Sequence, residues 1–472
     1  MREGKVAISH FAAQVIRSVA GFGTTFFIAR YLGAGDLGIY SQALALLFWI
    51  KLPGGSITSA ASKRMSESDT RSAAFFSAGL VILTLYAALV GVFMLLLRDY
   101  IDSYIGLDIA LVLALLIAVN LIFDLVKSGF VGLKRVSISG WIGTAEQLLR
   151  LGGQISFVLA GFMVIGLVYG HALSLLAFCV LGLLMLRSEL TIPTRQAFSE
   201  IRSFAQYSWL GSLKSVSLSW ADLLVLGLFV SDQLVGVYQA SWTLSSFLAI
   251  VGGSIATTLF PEISALDSEN QYDRVRDLLD DALIYTGIFL IPGAFGAFVI
   301  GERLLRIYSP EFSIGNEILV ILIAARMVHA FGGQALNALN ALDYPDIAFR
   351  INGIFITTNV VLNVILVYQF SWYGAATATL LSSLLYFVIS WREIILRLGG
   401  VEFPILEVGK QVVASTIMML GLYPIISYTP PSNYLTIGLV GLGASVYALV
   451  LLGISKQVRA KVFSLLPASV NL

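Results

Sequence analysis

From Ala73 to Leu97 the chain runs without a charged side chain, and stretches of this kind recur along its whole length. Hydrocarbon holds no water to satisfy backbone N–H and C=O groups. A segment that enters lipid must therefore close its hydrogen bonds internally, which here leaves the transmembrane helix. At about 20 apolar residues per crossing, fourteen spans are expected, beginning near residues 9, 37, 73, 107, 139, 164, 205, 235, 279, 316, 351, 372, 409 and 435. The composition agrees, with 58% hydrophobic and 12% charged residues and a mean hydropathy of +0.88, far above a soluble domain. The expected fold class is an all-α polytopic membrane protein.

The first apolar stretch, Phe11 to Leu32, is long, lacks a small-residue cleavage site and carries Arg17, so it is expected to remain as a span. Cys179 is the sole cysteine, which excludes an intrachain disulfide and a thiolate metal set. With the amino terminus in the cytoplasm, only Arg30, Arg98, Arg303 and Arg306 of the 29 Lys and Arg fall outside; apart from five within spans, the rest lie on cytoplasmic connections. This bias follows the positive-inside rule and predicts that both termini are cytoplasmic. External connections are short, the longest around Gly301 to Gly315. On the cytoplasmic side, the segment containing SENQYDRVRDLLDD has the spacing of a solvated amphipathic helix.

The five cations inside predicted spans are Arg17, Lys51, Arg150, Lys214 and Arg326. A central Lys or Arg facing lipid costs roughly 2.5–3.5 kcal/mol on insertion scales, so such residues face a bundle interior or a watery cavity. Together they point to a path for an anion. His10, Gln14 and Arg17 share one helical stripe, at i, i+4 and i+7. Glu146 and Arg150 stand four apart and can neutralise each other, as can Asp124 and Lys127 near the inner surface. Lys214 and Asp222 are eight apart with Leu218 between them, so each is expected to seek a partner or ligand across a cavity. Arg17 and Lys51 have no acidic neighbour in their own spans and are the leading anion-binding candidates, followed by Arg326. His171 and His329 are read as packing or hydrogen-bonding groups.

An internal repeat is visible at an offset of about 200 residues. Gly38-Ile39-Tyr40 parallels Gly236-Val237-Tyr238, Leu133 to Ser139 parallels Leu342 to Ala348, and Tyr169-Gly170-His171-Ala172 parallels Tyr373-Gly374-Ala375-Ala376. The repeat predicts an N-terminal lobe at 1–200, a C-terminal lobe at 201–400 related to it by an axis along the membrane normal, and two further spans at 401–472. By the same offset Arg17 maps beside Lys214. P-loop, HExxH, GxSxG and dinucleotide fingerprints are absent, as is a Cys/His metal set, which weakens an enzyme reading.

The run Ile28-Ala29-Arg30-Tyr31-Leu32-Gly33-Ala34-Gly35-Asp36-Leu37-Gly38-Ile39-Tyr40-Ser41 resembles the signature of the polysaccharide-biosynthesis flippases. These are the O-antigen type branch of the multidrug/oligosaccharidyl-lipid/polysaccharide exporter superfamily. Leu259-Phe260-Pro261-Glu262, Ile307-Tyr308-Ser309-Pro310 and Trp372-Tyr373-Gly374 extend the resemblance to the twelfth span. It implies two six-helix lobes around a cationic cavity, alternating access, and outward transfer of a polyprenyl-linked oligosaccharide. It further implies cavity cations in the first and second spans, where this chain has Arg17 and Lys51. From the placement of charges in the spans, Lys214, Arg326 and Arg150 are expected to join them around the anionic headgroup, with Asp222 or Glu146 in ion pairing or ion coupling.

The expected partners are the lipid-linked oligosaccharide, membrane lipids and glycan-assembly enzymes, with no nucleic acid; the expected state is a monomer in the cell membrane. No cofactor is expected, and the drive is expected from Na+ or H+ coupling or the membrane potential. Two other readings stay open: an organic-cation extruder of the same superfamily, and a membrane glycan polymerase or ligase.

Overall fold

In the computed structural model the described residues are 2–67 and 71–465; within these, the side chains of 2–15, 207, 209–212, 249–251 and 462–465 fall outside the description. The described residues contain helices and no strand. In chain order these are α1 (Arg2–Tyr31), α2 (Ala34–Ile50), α3 (Leu52–Glu67), α4 (Ser72–Leu96), α5 (Arg98–Ile105), α6 (Ala110–Gly132), α7 (Val136–Phe157) and α8 (Met163–Met185). There follow α9 (Arg195–Phe229), α10 (Asp232–Ser268), α11 (Tyr272–Arg306), α12 (Asn316–Ala341), α13 (Pro345–Leu398), α14 (Ile405–Tyr428), α15 (Asn433–Ile454) and α16 (Lys456–Leu465).

Eight continuous helical stretches of the described chain are long and apolar enough to cross a bilayer, and two bent helix pairs qualify as further spans. Two of the eight run 50 and 54 residues, or about 75–80 Å at 1.5 Å per residue, more than twice a hydrocarbon core of roughly 30 Å. Each breaks at its middle. The first breaks at Met163 (φ 48, ψ −135), between α7 and α8, and the second at Ser371 (φ 57, ψ −142), inside α13. Each long stretch is thus two helices joined by a tight reversal, an arrangement compatible with fourteen crossings. The outward faces are apolar: only 22% of the most apolar window of α4 is buried, and Leu85, Leu89, Phe93 and Leu96 stand exposed along it. In water that face would drive aggregation; in lipid it is the solvated surface.

By contacts the chain divides into two compact units, Met1–Gln239 and Ala240–Leu472. In the first unit α9 packs on α2, α3 and α4, which groups it with the helices before it. In the second unit α14 and α15 pack on α11 around Ile284, Met418, Leu422, Leu439, Tyr447 and Leu451.

The repeat read from sequence recurs in backbone geometry. Lys134 and Asp343 both take φ 61. At both turns the positive-φ residue donates its N–H three residues back, and the next residue five residues back. The two bent pairs also correspond, with α2/α3 bent by 51° and α10 bent by 40° between Leu248 and Gly252. The Tyr-Gly motifs have a steric cause. A Cβ on Gly170 would meet Gln154 N at 2.6 Å, and one on Gly374 would meet Leu366 O at 2.0 Å, so both hairpins close only around glycine.

Within the first unit the two Gly-x-Tyr motifs meet each other. A Cβ on Gly38 would lie 1.9 Å from Asp232 O, and one on Gly236 would lie 1.8 Å from Ala34 O. The contact is reciprocal with an offset of 198 on both sides, as a local twofold between α2 and α10 requires.

One expectation is corrected. SENQYDRVRDLLDD is not one amphipathic helix, because α10 ends at Ser268 and α11 begins at Tyr272. Asn270 sits between them at φ 57, a left-handed conformation that asparagine tolerates better than most residues.

Gly38→Val is expected to destabilise the fold by about 1–3 kcal/mol or more, since backbone cannot yield as a flexible side chain does. Gly35→Ala, with open space around it, should leave the melting temperature of the purified protein unchanged. A thermal melt in detergent that ranks the two variants equally would refute the glycine contact.

Candidate functional site

The polar centre of the first unit is built on the break between α2 and α3. Pro53 has no N–H to continue the ladder and crowds the preceding turn. The chain responds by ending α2 at Ile50 and restarting at Leu52, with Lys51 at the corner. The carbonyl of Ile50, released from the ladder, accepts a hydrogen bond from the Tyr86 hydroxyl at 2.5 Å. Lys51 is thereby held at a helix corner inside the unit.

Lys51 is not isolated once α6 is in place. Its Nζ donates to Asn120 Oδ1 at 2.7 Å and to Asp124 Oδ2 at 2.9 Å, while Lys127 Nζ takes Asp124 Oδ1 at 3.0 Å. One carboxylate thus holds two ammonium groups, one on each oxygen. Arg17, on α1, reaches the same place from the other side, because Gly143 on α7 leaves room for it. A Cβ on Gly143 would lie 3.2 Å from Arg17 Nη1 and 3.7 Å from Lys127 Cδ.

One turn further along α7, Glu146 is gripped by Arg150 through two hydrogen bonds, Nε at 2.9 Å and Nη2 at 2.6 Å. It also accepts from Ser174 Oγ at 2.9 Å. The Glu146 side chain is only 3% exposed, a depth at which a carboxylate persists only when paired and hydrogen-bonded. Beyond this pair, Tyr40 accepts from Gln154 Nε2 at 2.7 Å, and its hydroxyl and His171 Nδ1 share a hydrogen bond at 3.2 Å. His171 is therefore a hydrogen-bonding core residue, as read from the sequence.

The structure gathers Arg17, Lys51 and Arg150 in one neighbourhood and adds Lys127. It treats the others differently. Lys214 lies half-buried on α9, and Asp222, two turns on, is buried and accepts a hydrogen bond from the Tyr238 hydroxyl. Arg326 belongs to the second unit, its guanidinium carbon 3.8 Å from the centre of the Trp242 ring and Nη2 2.8 Å from Ser246 Oγ. Nearby, His329 stacks on Tyr386 with ring centres 4.5 Å apart. The side chains of His10 and Gln14 lie outside the described residues.

Sequence reasoning placed Asp124 and Lys127 at the inner surface as a local pair and passed over Asn120 and Gly143. A signal was present: Asn120, Asp124 and Lys127 stand at i, i+4 and i+7, the same stripe spacing that singled out Arg17. Gly143 had no such signal, since its use is the space it leaves for a side chain from another helix.

Among the described residues, Arg17, Lys51, Lys127 and Arg150 gather around the two carboxylates of Asp124 and Glu146. Lys51 and Asp124 keep 18% and 28% of their side-chain surfaces exposed, so a small anion can reach them. Chemically the site can hold an anionic group by charge-assisted hydrogen bonds.

Residues 4–267 match the model of a family described as "Polysaccharide biosynthesis protein". Over 466 residues, 98% of each chain, the sequence is 33% identical to the probable flippase AglR of Haloferax volcanii. Over 418 residues, 87% of each chain, it is 27% identical to the probable low-salt glycan biosynthesis flippase Agl15 of the same organism. Among solved structures, the lipid II flippase MurJ in an inward closed conformation superposes with a TM-score of 0.81. The match covers 96% of this chain and 99% of that one at 15% identity, which shows a common fold.

Glu146→Ala should destabilise the protein by about 3 kcal/mol or more, because it leaves the Arg150 guanidinium uncompensated inside the unit. Glu146→Ala combined with Arg150→Ala should recover part of that loss. A double variant that melts below the single one in the same detergent would show that the pair is not coupled.

Proposed function

The chain belongs to the polysaccharide biosynthesis protein family of the multidrug/oligosaccharidyl-lipid/polysaccharide exporter superfamily, and from that premise we propose a flippase. It moves a polyprenyl-linked oligosaccharide from the cytoplasmic to the outer leaflet of the cell membrane, for assembly of surface polysaccharide or protein-linked glycan. The observation that carries this reading is the gathering of Arg17, Lys51, Lys127 and Arg150 around Asp124 and Glu146. The substrate's phosphate or diphosphate loses hydration on leaving water; Arg17 offers a fork of donors in its place, and Lys51 and Lys127 offer point charges. The sugars travel inside the protein while the polyprenyl tail stays in lipid.

The cycle we propose is alternating access between a lobe at 1–200 and a lobe at 201–400, with the pair at 401–472 outside the repeat. The bends at Lys51 and between Leu248 and Gly252 fall at equivalent repeat positions and are natural hinges. Both termini lie in the cytoplasm, a placement supported by the distribution of Lys and Arg. Transport needs no bond chemistry, and a monomer suffices.

With the cell interior negative, outward movement of an anion gains about 2.3 kcal/mol per charge per 100 mV. We take the membrane potential as the drive. Glu146 and Asp222 each already hold a partner, Arg150 and Tyr238 respectively, which supports the potential over Na+ or H+ coupling at these carboxylates. The gathered cations also disfavour an organic cation as the transported species.

In proteoliposomes with a fluorescent lipid-linked saccharide, Arg17→Ala and Lys51→Ala should each slow flipping roughly tenfold or more. That corresponds to loss of a charged contact of about 1.5–3 kcal/mol. Folding should be spared in Lys51→Ala, because Asp124 keeps Lys127. Undiminished flipping in both variants would sink the assignment.

A further inference from the structure

On the outer side of the first unit, α3, α4 and α9 leave an open groove of about 530 Å³ between them. Its walls include Ser56 and Ile57 of α3, Ile82 of α4, and Phe198, Ile201 and Arg202 of α9. None of the cations around Asp124 lines it. Ile82 begins the helical stripe that continues through Leu85 and Leu89, which stand 67% and 65% exposed. The groove therefore opens onto the face that lipid covers.

Two polar groups interrupt this apolar wall. Ser56 is 3% exposed, and its Oγ has no hydrogen-bond partner among the described residues. A buried hydroxyl without a partner loses its hydration with nothing in return, and hydrocarbon supplies no replacement. Arg202 is exposed at the groove and forms no ion pair among the described residues. Its guanidinium carries five N–H donors. An apolar trough with a hydroxyl in its wall and a guanidinium at its edge matches a molecule that joins a hydrocarbon chain to an anionic group.

Position in the bilayer says which molecule that is. On the orientation proposed above, α3 ends and α4 begins at the cytoplasmic surface. Ser56 and Ile82 stand ten or eleven residues from those ends, or roughly 15 Å at 1.5 Å per residue, half of a hydrocarbon core of about 30 Å. The groove thus spans the inner leaflet, whose surface potential is negative. Lys63, half exposed at the same end, stands over the Phe204 ring of α9 at 4.6 Å. The linker into α9 is pinned there as well: Ser72 Oγ donates to Glu189 at 2.7 Å, and Thr191 N donates to Ser77 Oγ at 2.9 Å. It holds Ile192 89% exposed between Arg187 and Arg195, an apolar side chain flanked by cations, as an anionic membrane surface favours.

We propose that this groove binds an anionic lipid of the inner leaflet, a resident of the bilayer and not the transported lipid. Arg202 holds its phosphate, Ser56 Oγ donates to an oxygen where the chain joins the headgroup, and one chain lies along Ile57, Ile82, Phe198 and Ile201. Such a chain touches all three helices. The lipid therefore fastens α9, the helix that begins the second repeat, to α3 and α4.

The test uses the full-length protein, delipidated in detergent and read by native mass spectrometry. The probes are phosphatidylglycerol, phosphatidylcholine, a sugar-free polyprenyl phosphate and soluble glycerol phosphate. Phosphatidylglycerol should stay bound at concentrations where phosphatidylcholine dissociates. Arg202→Gln should weaken phosphatidylglycerol about fivefold, the loss expected for one cation facing an anionic surface, whereas Arg202→Lys should stay within about twofold of wild type. Ala205→Phe, which fills the groove, should abolish retention. An unchanged lipid-free melting temperature in Arg202→Gln separates lost binding from lost fold. Phosphatidylglycerol binding that survives both Arg202→Gln and Ala205→Phe would overturn the site. Displacement by equimolar polyprenyl phosphate would assign the groove to the transported lipid, and equal retention of glycerol phosphate would leave a site for free phosphate; either overturns the proposal. A dimer mass that Ala205→Phe removes would place a second copy of the chain there and overturn it too. The flippase reading stands or falls separately, on the transport assay above.

Discussion

Asp124 is the interaction on which the interior of the first unit depends. An ammonium group placed among apolar helices loses the water that stabilised it, and the helices cannot rearrange to replace that water. A carboxylate with one oxygen on Lys51 and the other on Lys127 supplies the replacement. Among the described residues, two ammonium groups thus share this one carboxylate.

The positions of the charged groups follow from backbone events. Pro53 breaks the second span and turns Lys51 inward, and the freed Ile50 carbonyl is recovered by Tyr86. Gly38 and Gly236 bring α2 and α10 together at a distance that no side chain permits, fixing the helix that carries Phe48 and Lys51. Other local solutions occur once in each half: the left-handed turns at Lys134 and Asp343 and the reversals at Met163 and Ser371. Among the described residues the polar side chains at the centre of the two units differ. Where the first unit places paired charges, the second places Arg326 on Trp242 and His329 on Tyr386. The backbone plan recurs while the described polar side chains differ between the units.

Much of this was legible before any coordinates. The helical class followed from the apolar runs, and the paired repeats from three weak motifs in the same order, two of which now have a steric cause and the third a shared left-handed turn. The ion pair of Glu146 and Arg150 was readable because i, i+4 spacing places both on one helix face. By contrast, Lys51 looked unaccompanied, since its carboxylate lies 73 residues away on another helix, and the stretch from Ser268 to Asp281 looked continuous, since an asparagine turn leaves little trace in a charge pattern.

Composition and periodicity dictate what a bilayer demands of every such chain: helices, internal hydrogen bonds, and charges kept away from lipid. They also expose neighbours on one helix, because a helix has a single period. Which helix faces which is another matter. The meeting of Lys51 with Asp124, the space that Gly143 opens for Arg17, and the stack of Phe48 on Trp220 each depend on crossings set by a few close contacts between distant segments. Those contacts are non-local sums over packing, and no local pattern in the chain encodes them.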